Sequence, residues 1–301
     1  MRFSNYGELT NHIKGKKTKR HFGVVIATEE HCLEAVLNCY KEGFIVPHFI
    51  GNADSMGEML SLRGYRKEDF VVVDEDDPSK AAKIAVDMVH RGEISGIIKG
   101  GLDTATLMKV ILSGASGIKT SNVVCAMSLM QIPGYHKLIA GSDPALSICP
   151  SVNEKKVIIE NCVKALNNMG IDTPKVAMLA AAEKVNPKMQ ETLDAVALKE
   201  MNLIGEIQNC IIDGPLSYDL CFDHEAARIK GIESCVAGDP DLLIYPNLVT
   251  GNVASKALVI TAGAVGSSVI LGTRVPIVLP SRASSVEEKE RDILLAVASM
   301  E

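Results

Sequence analysis

Between Pro276 and Asp292 the chain reads PIVLPSRASSVEEKERD, an apolar run that ends in Ser281, Arg282, Ser284 and Ser285 where a charged helix begins. An arginine has no capping job at a helix N-terminus, because its charge opposes the dipole. An anion sharing the site removes the conflict, since the free N–H groups of a helix start and a guanidinium favour the same ligand. The competing reading is a helix cap. Ser285-x-x-Glu288 fits a capping box, and so does Ser284-x-x-Glu287 one residue earlier. Only one frame can be used, which leaves the other glutamate available for chemistry.

Three more segments put small polar residues where strands end. IIKGGLDTATLMK places Lys99, Gly100 and Gly101 at a strand end, Thr104 and Thr106 at the next helix start, and Lys109 a turn further on. Glycines permit close backbone approach, and a helix start beside Lys99 or Lys109 suits an anion. An ordinary turn capped by Asp103 or Thr104 explains the same residues. AGSDPALSICPS offers Ser142 and Asp143, which an Asp-Pro turn also accounts for. GDPDLLIYPNLVTGN brackets a strand with Asp239, Asp241, Asn247 and, after a loop, Gly251 and Asn252 at a helix start. Together the four segments predict a site at the carboxyl edge of a sheet.

Several signatures are absent. There is no G-x-x-x-x-G-K-[ST], no G-x-G-x-x-G after a strand and no G-x-S-x-G, which argues against a P-loop, the usual dinucleotide fingerprint and a serine-hydrolase elbow. In HEAAR, Arg228 stands where a helical zinc motif begun by His224 needs its second histidine, so no metal site is expected. Gly263, Gly266 and Gly272 read as turn and packing glycines. Eight scattered cysteines with no C-x-x-C pair read as reduced, mostly buried thiols, none beside a recognisable base.

The elements that must carry these residues alternate. Residues 22–28 read as a buried strand and 29–43 as a helix closed by Gly43, and the strand-helix alternation continues to the strand GIIKGG. Near-continuous apolar strands imply a parallel sheet covered on both faces. Around Pro133-Gly134 the pattern changes to an antiparallel hairpin, after which helices and strands alternate again. The expected fold class is α/β, with two α/β/α domains and a cleft between them. Residues 1–120 plus 270–301 form the first domain and 121–269 the second.

A chain of 301 residues with 47% hydrophobic and 23% charged residues can bury cores of that size. Its formal net charge of −6 and lack of tryptophan speak against a nucleic-acid partner. The basic run from Lys14 to Arg20 reads as a solvated helix end. No signal-peptide core is evident, and no stretch reaches the ~20 apolar residues of a membrane span. A cytoplasmic enzyme without a membrane partner is expected.

SDPALSICPS, DGPLSYD, GDPDLLIYPNLVTGN and GTRVPIVLPSRASSVEEK resemble, in order and spacing, the phosphate acetyl/butyryltransferase family, and KGGLDTATLMK resembles its earlier phosphate-side segment. The resemblance covers about residues 90–301 and is closer to the butyryl branch. It implies an isocitrate/isopropylmalate-dehydrogenase-like fold, a homodimer or higher homo-oligomer, no tightly bound cofactor, and acyl transfer between coenzyme A and inorganic phosphate. By position it implies that Arg282 holds the phosphoryl group and Ser281 stabilises the reacting centre. Glu288 stands where acetyltransferases have an aspartate proposed as base, and Lys109 where they have an arginine near phosphate. Lys99, Gly100, Gly101, Thr104, Thr106, Ser142, Asp143, Asn247, Gly251 and Asn252 complete the expected phosphate and coenzyme A contacts. The alternatives are a metal- and nicotinamide-dependent decarboxylating dehydrogenase of the same fold class, which needs an aspartate cluster, and a non-catalytic acyl-phosphate or coenzyme A binding module.

Overall fold

Alternating β-branched strands and amphipathic helices govern the architecture of the computed structural model, which describes residues 2–15, 19–114 and 117–301. The chain runs α1 (Tyr6–Gly15), β1 (Arg20–Val25), α2 (Glu30–Lys41), β2 (Ile45–Gly51), α3 (Ala53–Ser61), β3 (Val71–Asp74), α4 (Pro78–His90), β4 (Gly96–Lys99) and α5 (Thr104–Ile111). Next come β5 (Cys125–Gln131), β6 (Ile139–Ser142), α6 (Val152–Asn168), β7 (Lys175–Leu179), α7 (Gln190–Leu203), β8 (Ile211–Leu216), α8 (Tyr218–Phe222) and α9 (His224–Ile229). The chain ends with β9 (Leu242–Ile244), α10 (Leu248–Ala262), β10 (Val265–Leu271), β11 (Ile277–Val278) and α11 (Val286–Ala298).

Backbone contacts divide these elements into two units, Leu9–Asn122 with Ser267–Met300, and Met1–Glu8 with Val123–Gly266 and Glu301. In the first unit the strand order is β3-β2-β1-β4-β11-β10. All neighbours pair in parallel except β10, which runs antiparallel to β11. The buried runs of β1, β4 and β11 show why their sequences do not alternate: helices cover both faces of the sheet. Phe22, Phe49, Ile97, Ile98 and Ile277 fill its core, and α2 packs against α11.

In the second unit the order is β5-β6-β9-β7-β8, with β5 and β6 forming the antiparallel hairpin expected around Pro133-Gly134. The other pairs are parallel. Asn247 caps α10 by accepting from Thr250 N–H at 2.9 Å, so Gly251 and Asn252 are the fourth and fifth residues of the helix, near its start as expected but without the loop expected before them. Gly263 closes α10 in the left-handed conformation (φ 69°), the turn role expected of it. Of the basic run from Lys14 to Arg20, Lys16, Lys17 and Thr18 lie outside the described residues. All eight cysteines are free thiols, six of them buried and Cys149 and Cys235 exposed. Among the described residues, no helix is long and apolar enough to cross a membrane.

Candidate active site

The carboxyl ends of β1, β4 and β11, which are neighbours in the first unit, each lead into a helix start. Glu29 caps α2, Asp103 caps α5 and Ser285 caps α11. Helix starts at one sheet edge converge N–H groups and partial positive charge on one region.

The loop after β4 is pressed onto the loop after β1. Gly100 N–H donates to Val25 O at 2.9 Å and Gly101 N–H donates to Ile26 O. A Cβ at Gly100 would overlap the Ile26 carbonyl, so glycine is required there for close approach. Ile26 itself has φ 54°, which is rare for a β-branched residue. Its hydrogen bonds with Ile50, Thr28 and Gly101 hold it there, the kind of over-determination that accompanies strain at functional sites.

Arg282 is exposed, and its Nη2 reaches the Gly101 carbonyl at 3.5 Å. The structure therefore brings Arg282, Gly100, Gly101 and Lys99 together. Lys99 is not the freely extended cation its strand-end position predicts: only 4% exposed, its Nζ donates to the carbonyls of Gly100 and Leu102, both at 3.2 Å. Two of three ammonium hydrogens thus hold the loop. Burial first, and then the Arg282 charge, lower the Lys99 pKa. Beside it, Cys32 Sγ lies 3.8 Å from Lys99 O, and burial pushes this thiol up to about 12. It is protonated near neutral pH and is no nucleophile.

Ser281 is exposed, and its Oγ accepts from Ala283 N–H at 3.3 Å. The turn is fastened by a residue that motif reading missed. Lys289 on α11 is 1% exposed, donates to Ser281 O at 2.6 Å and to Ser284 O at 3.1 Å, and has Glu29 Oε2 at 3.6 Å. A signal for it was present, because Val286, Lys289, Ile293 and Val297 fall on one helical stripe.

The two overlapping capping frames resolve. Ser285 accepts from Glu288 N–H and the Glu288 carboxylate accepts from Ser285 N–H at 3.0 Å, a complete box. Glu288, expected as a catalytic base, thus caps the helix through one carboxylate oxygen, while Glu287 is exposed and held below the usual carboxylate range by the Ser285 hydroxyl. Glu288→Gln preserves the box, so turnover and its pH profile should stay near wild type. Glu288→Ala should cost about 1 kcal/mol in thermal or urea melts. A large rate loss with a displaced pH profile in Glu288→Gln would restore the base.

Thr104 begins α5 and is exposed. Thr106 and Lys109 do not join the Arg282 cluster. They line a groove against α4, in which the Ser281–Ser284 turn takes no part.

In the second unit the expected contacts have structural partners. Ser142 is fully buried and donates to Ala126 O at 2.9 Å. The Asp143 carboxylate accepts from the N–H groups of Ala145, Leu146 and Ser147 and from the Ser147 hydroxyl, which builds the turn read from Asp143-Pro144. Gly251 lets α10 approach this turn, since a Cβ would stand 2.8 Å from Asp143 O, and Asn252 Nδ2 donates to Pro144 O at 3.2 Å. Asn247, while capping α10, also lines a cavity of about 320 Å³ with Tyr218 and Glu191. Among the described residues no group of three or more His, Cys, Asp or Glu is arranged to hold a metal ion.

Asp292, two turns into α11, accepts from Ser268 N–H at 2.7 Å, yet burial pushes its carboxyl up to about 7. The folded protein thus holds this proton more tightly than the unfolded chain. The associated stability is full below about pH 4 and is lost as pH rises through about 7. Asp292→Asn keeps the acceptor for Ser268, so melts between about pH 5 and 8 should show a flatter stability profile. An unchanged slope would contradict this.

A sheet edge that gathers helix starts and an exposed arginine defines an anion-handling α/β enzyme class, and comparison with known proteins specifies it. Residues 53–297 match the family model described as phosphate acetyl/butaryl transferase. A phosphate acetyltransferase from Thermotoga maritima is 38% identical over 283 residues, covering 94% of this chain and 95% of its own. A phosphate butyryltransferase from Clostridium acetobutylicum is 35% identical over 292 residues, 97% of each chain. The crystal structure of a branched-chain phosphotransacylase from Enterococcus faecalis V583 superimposes with a TM-score of 0.81 at 28% identity, covering 93% of this chain and 98% of that one. The chain belongs to the phosphate acetyl/butaryl transferase family. It is an enzyme that transfers acyl groups to phosphate.

Proposed function

We propose that this enzyme moves a short-chain acyl group, butyryl in preference, between coenzyme A and inorganic phosphate, by direct attack with both substrates bound. The observation that carries the reading is the exposed Arg282 guanidinium beside the Gly100-Gly101 loop, where β1, β4 and β11 deliver helix starts. Arg282 holds the phosphoryl group, and the helix starts share its charge. The coenzyme A thiolate attacks the acyl carbonyl, an S–C bond forms, and the C–O bond to phosphate breaks. The Ser281 hydroxyl donates to the carbonyl oxygen as negative charge develops there. The departing phosphate takes the bonding pair and ends with the proton that the thiol gave up. The overall balance therefore needs no protein carboxylate, consistent with a Glu288 engaged in its cap. The reverse reaction uses the same groups, with phosphate as nucleophile.

Direct transfer is favoured over an acyl-enzyme because Cys32, a thiol beside Lys99, is buried and protonated. Initial velocities with coenzyme A and acyl phosphate both varied should give intersecting reciprocal plots. Parallel plots, with a trapped acylated protein, would overturn the direct mechanism. Comparing acetyl and butyryl phosphate in the same assay tests the chain-length preference.

The same proposal includes a homodimer. Val249, Val253 and Ile260 on one side of α10 are 67%, 62% and 77% exposed, an apolar helix face that water does not favour. Light scattering should give twice the chain mass, and Ile260→Asp should shift it toward the monomer. A wild-type monomer would refute this part.

A further inference from the structure

Lys99 ends β4, and the two glycines after it let the chain lie against the end of β1. The N–H groups of Gly100 and Gly101 donate to Val25 O and Ile26 O, so backbone alone fixes that side of the loop. Lys99 fixes the other side. Its side chain is buried and curls back, so that Nζ donates to Gly100 O and Leu102 O, both at 3.2 Å. Two neutral carbonyls offset the lost hydration of an ammonium poorly. An uncharged residue would fill the same space at lower cost, which points to a task for the ammonium beyond packing.

Peptide planarity carries its effect outward. In a trans peptide the C=O and the next N–H point in opposite directions. With the carbonyls of Gly100 and Leu102 turned toward Lys99, the carbonyl between them, Gly101 O, faces Arg282 Nη2 at 3.5 Å. The inward Leu102 carbonyl likewise sends the Asp103 N–H away from Lys99, at the start of α5. No hydrogen bond among the described residues uses that N–H.

The charges around Lys99 have one sign in excess. Arg282 lies in the turn before α11, Lys289 on α11, Glu29 at the cap of α2 and the protonated Cys32 on α2, all close enough to act on the Lys99 charge. Three cations thus accompany one carboxylate, and a phosphate dianion balances the excess.

We propose that Lys99 is a positioning residue for phosphate: from behind the loop it sets the Gly101 carbonyl that aims the Arg282 guanidinium and keeps the Asp103 N–H turned to the same anion. Lys99 itself does not touch the phosphate. The inference rests on the acyl-transfer reading, in which Arg282 holds the phosphoryl group.

Initial rates of acyl phosphate formation test it, with phosphate and acyl-coenzyme A varied separately in Lys99→Met and Lys99→Gln, and a melting curve for each variant. The KM for phosphate should rise about tenfold or more in Lys99→Met, while that for acyl-coenzyme A stays within about twofold. Lys99→Gln keeps a neutral donor of shorter reach and should fall between wild type and Lys99→Met; it carries the test if Lys99→Met does not fold. A lysine that only stabilised the fold would lower the melting temperature and leave the KM for phosphate unchanged. In an Arg282→Ala background the Lys99 substitution should change this KM much less, because its route runs through the guanidinium. An unchanged KM for phosphate in the folded variants, or the same fold-change with and without Arg282, would overturn the proposal. Near wild-type turnover in Arg282→Ala would instead sink the acyl-transfer reading, so the two failures are distinct.

Discussion

Arg282→Ala is expected to lower turnover by about two to three orders of magnitude while the protein melts at the wild-type temperature. The two halves of this prediction have separate causes. The guanidinium is exposed and its contact with Gly101 O is long, at 3.5 Å, so its removal leaves no buried group unsatisfied. Its catalytic contribution instead arises when charge shifts onto phosphate in the transition state, where a preorganised cation costs no rearrangement. Arg282→Lys should recover only part of the loss, because an ammonium cannot reproduce a planar two-pronged contact with phosphate oxygens. Steady-state rates with saturating phosphate, beside a melting curve for each variant, test the pair. Near wild-type turnover in folded Arg282→Ala would remove the centre of the proposed mechanism.

Lys289→Met is expected to have the second-largest effect, for the opposite reason. This residue does not face the substrate; it fastens the turn that does. Its ammonium is buried and donates to the carbonyls of Ser281 and Ser284, with Glu29 close by. Methionine keeps much of the side-chain length but removes this donor from both carbonyls; Ser281 O keeps the Ser284 N–H at 3.2 Å, so the cost of about 1–3 kcal/mol for an unsatisfied group falls on Ser284 O. Glu29 loses its cation as well. The turn should relax away from α11, and misplacement by about 1 Å can cost on the order of a hundredfold in rate. A stabilising role alone would lower the melting temperature without changing kcat in the folded protein. The expectation is that both fall, with kcat measured well below the melting transition. Wild-type kcat in a folded Lys289→Met would show that the turn keeps its geometry without the lysine.

Local chemistry made much of this architecture legible. The apolar runs of β1, β2 and β4 read as buried parallel strands because they do not alternate, and Pro133-Gly134 announced an antiparallel hairpin. Ser285 and Glu288 could be read as a capping box, but the overlapping Ser284 frame is equally good in sequence terms, and only geometry chooses. The misread residues share a physical cause, since side-chain direction depends on packing that spacing does not report. Lys99 looks like a free cation at a strand end, yet it turns inward onto the carbonyls of its own loop. Asp143 reads in sequence as a turn former or a ligand, and four hydrogen bonds within residues 143–147 show the turn. Lys289 was hidden because a charged residue in a charged segment reads as solvated, although its stripe position points inward. The left-handed Ile26 leaves no trace in composition or periodicity, because loops from β1 and β4 must meet before that conformation is stabilised.

The most direct measurement of the central claim is release of free thiol from acyl-coenzyme A, followed for acyl chains from acetyl to octanoyl, with and without inorganic phosphate. The mechanism predicts release that saturates with phosphate, yields an equal amount of acyl phosphate, is fastest with a short chain such as butyryl, and nearly vanishes in Arg282→Ala. Thiol release that ignores phosphate, or no release from any chain length, would contradict it.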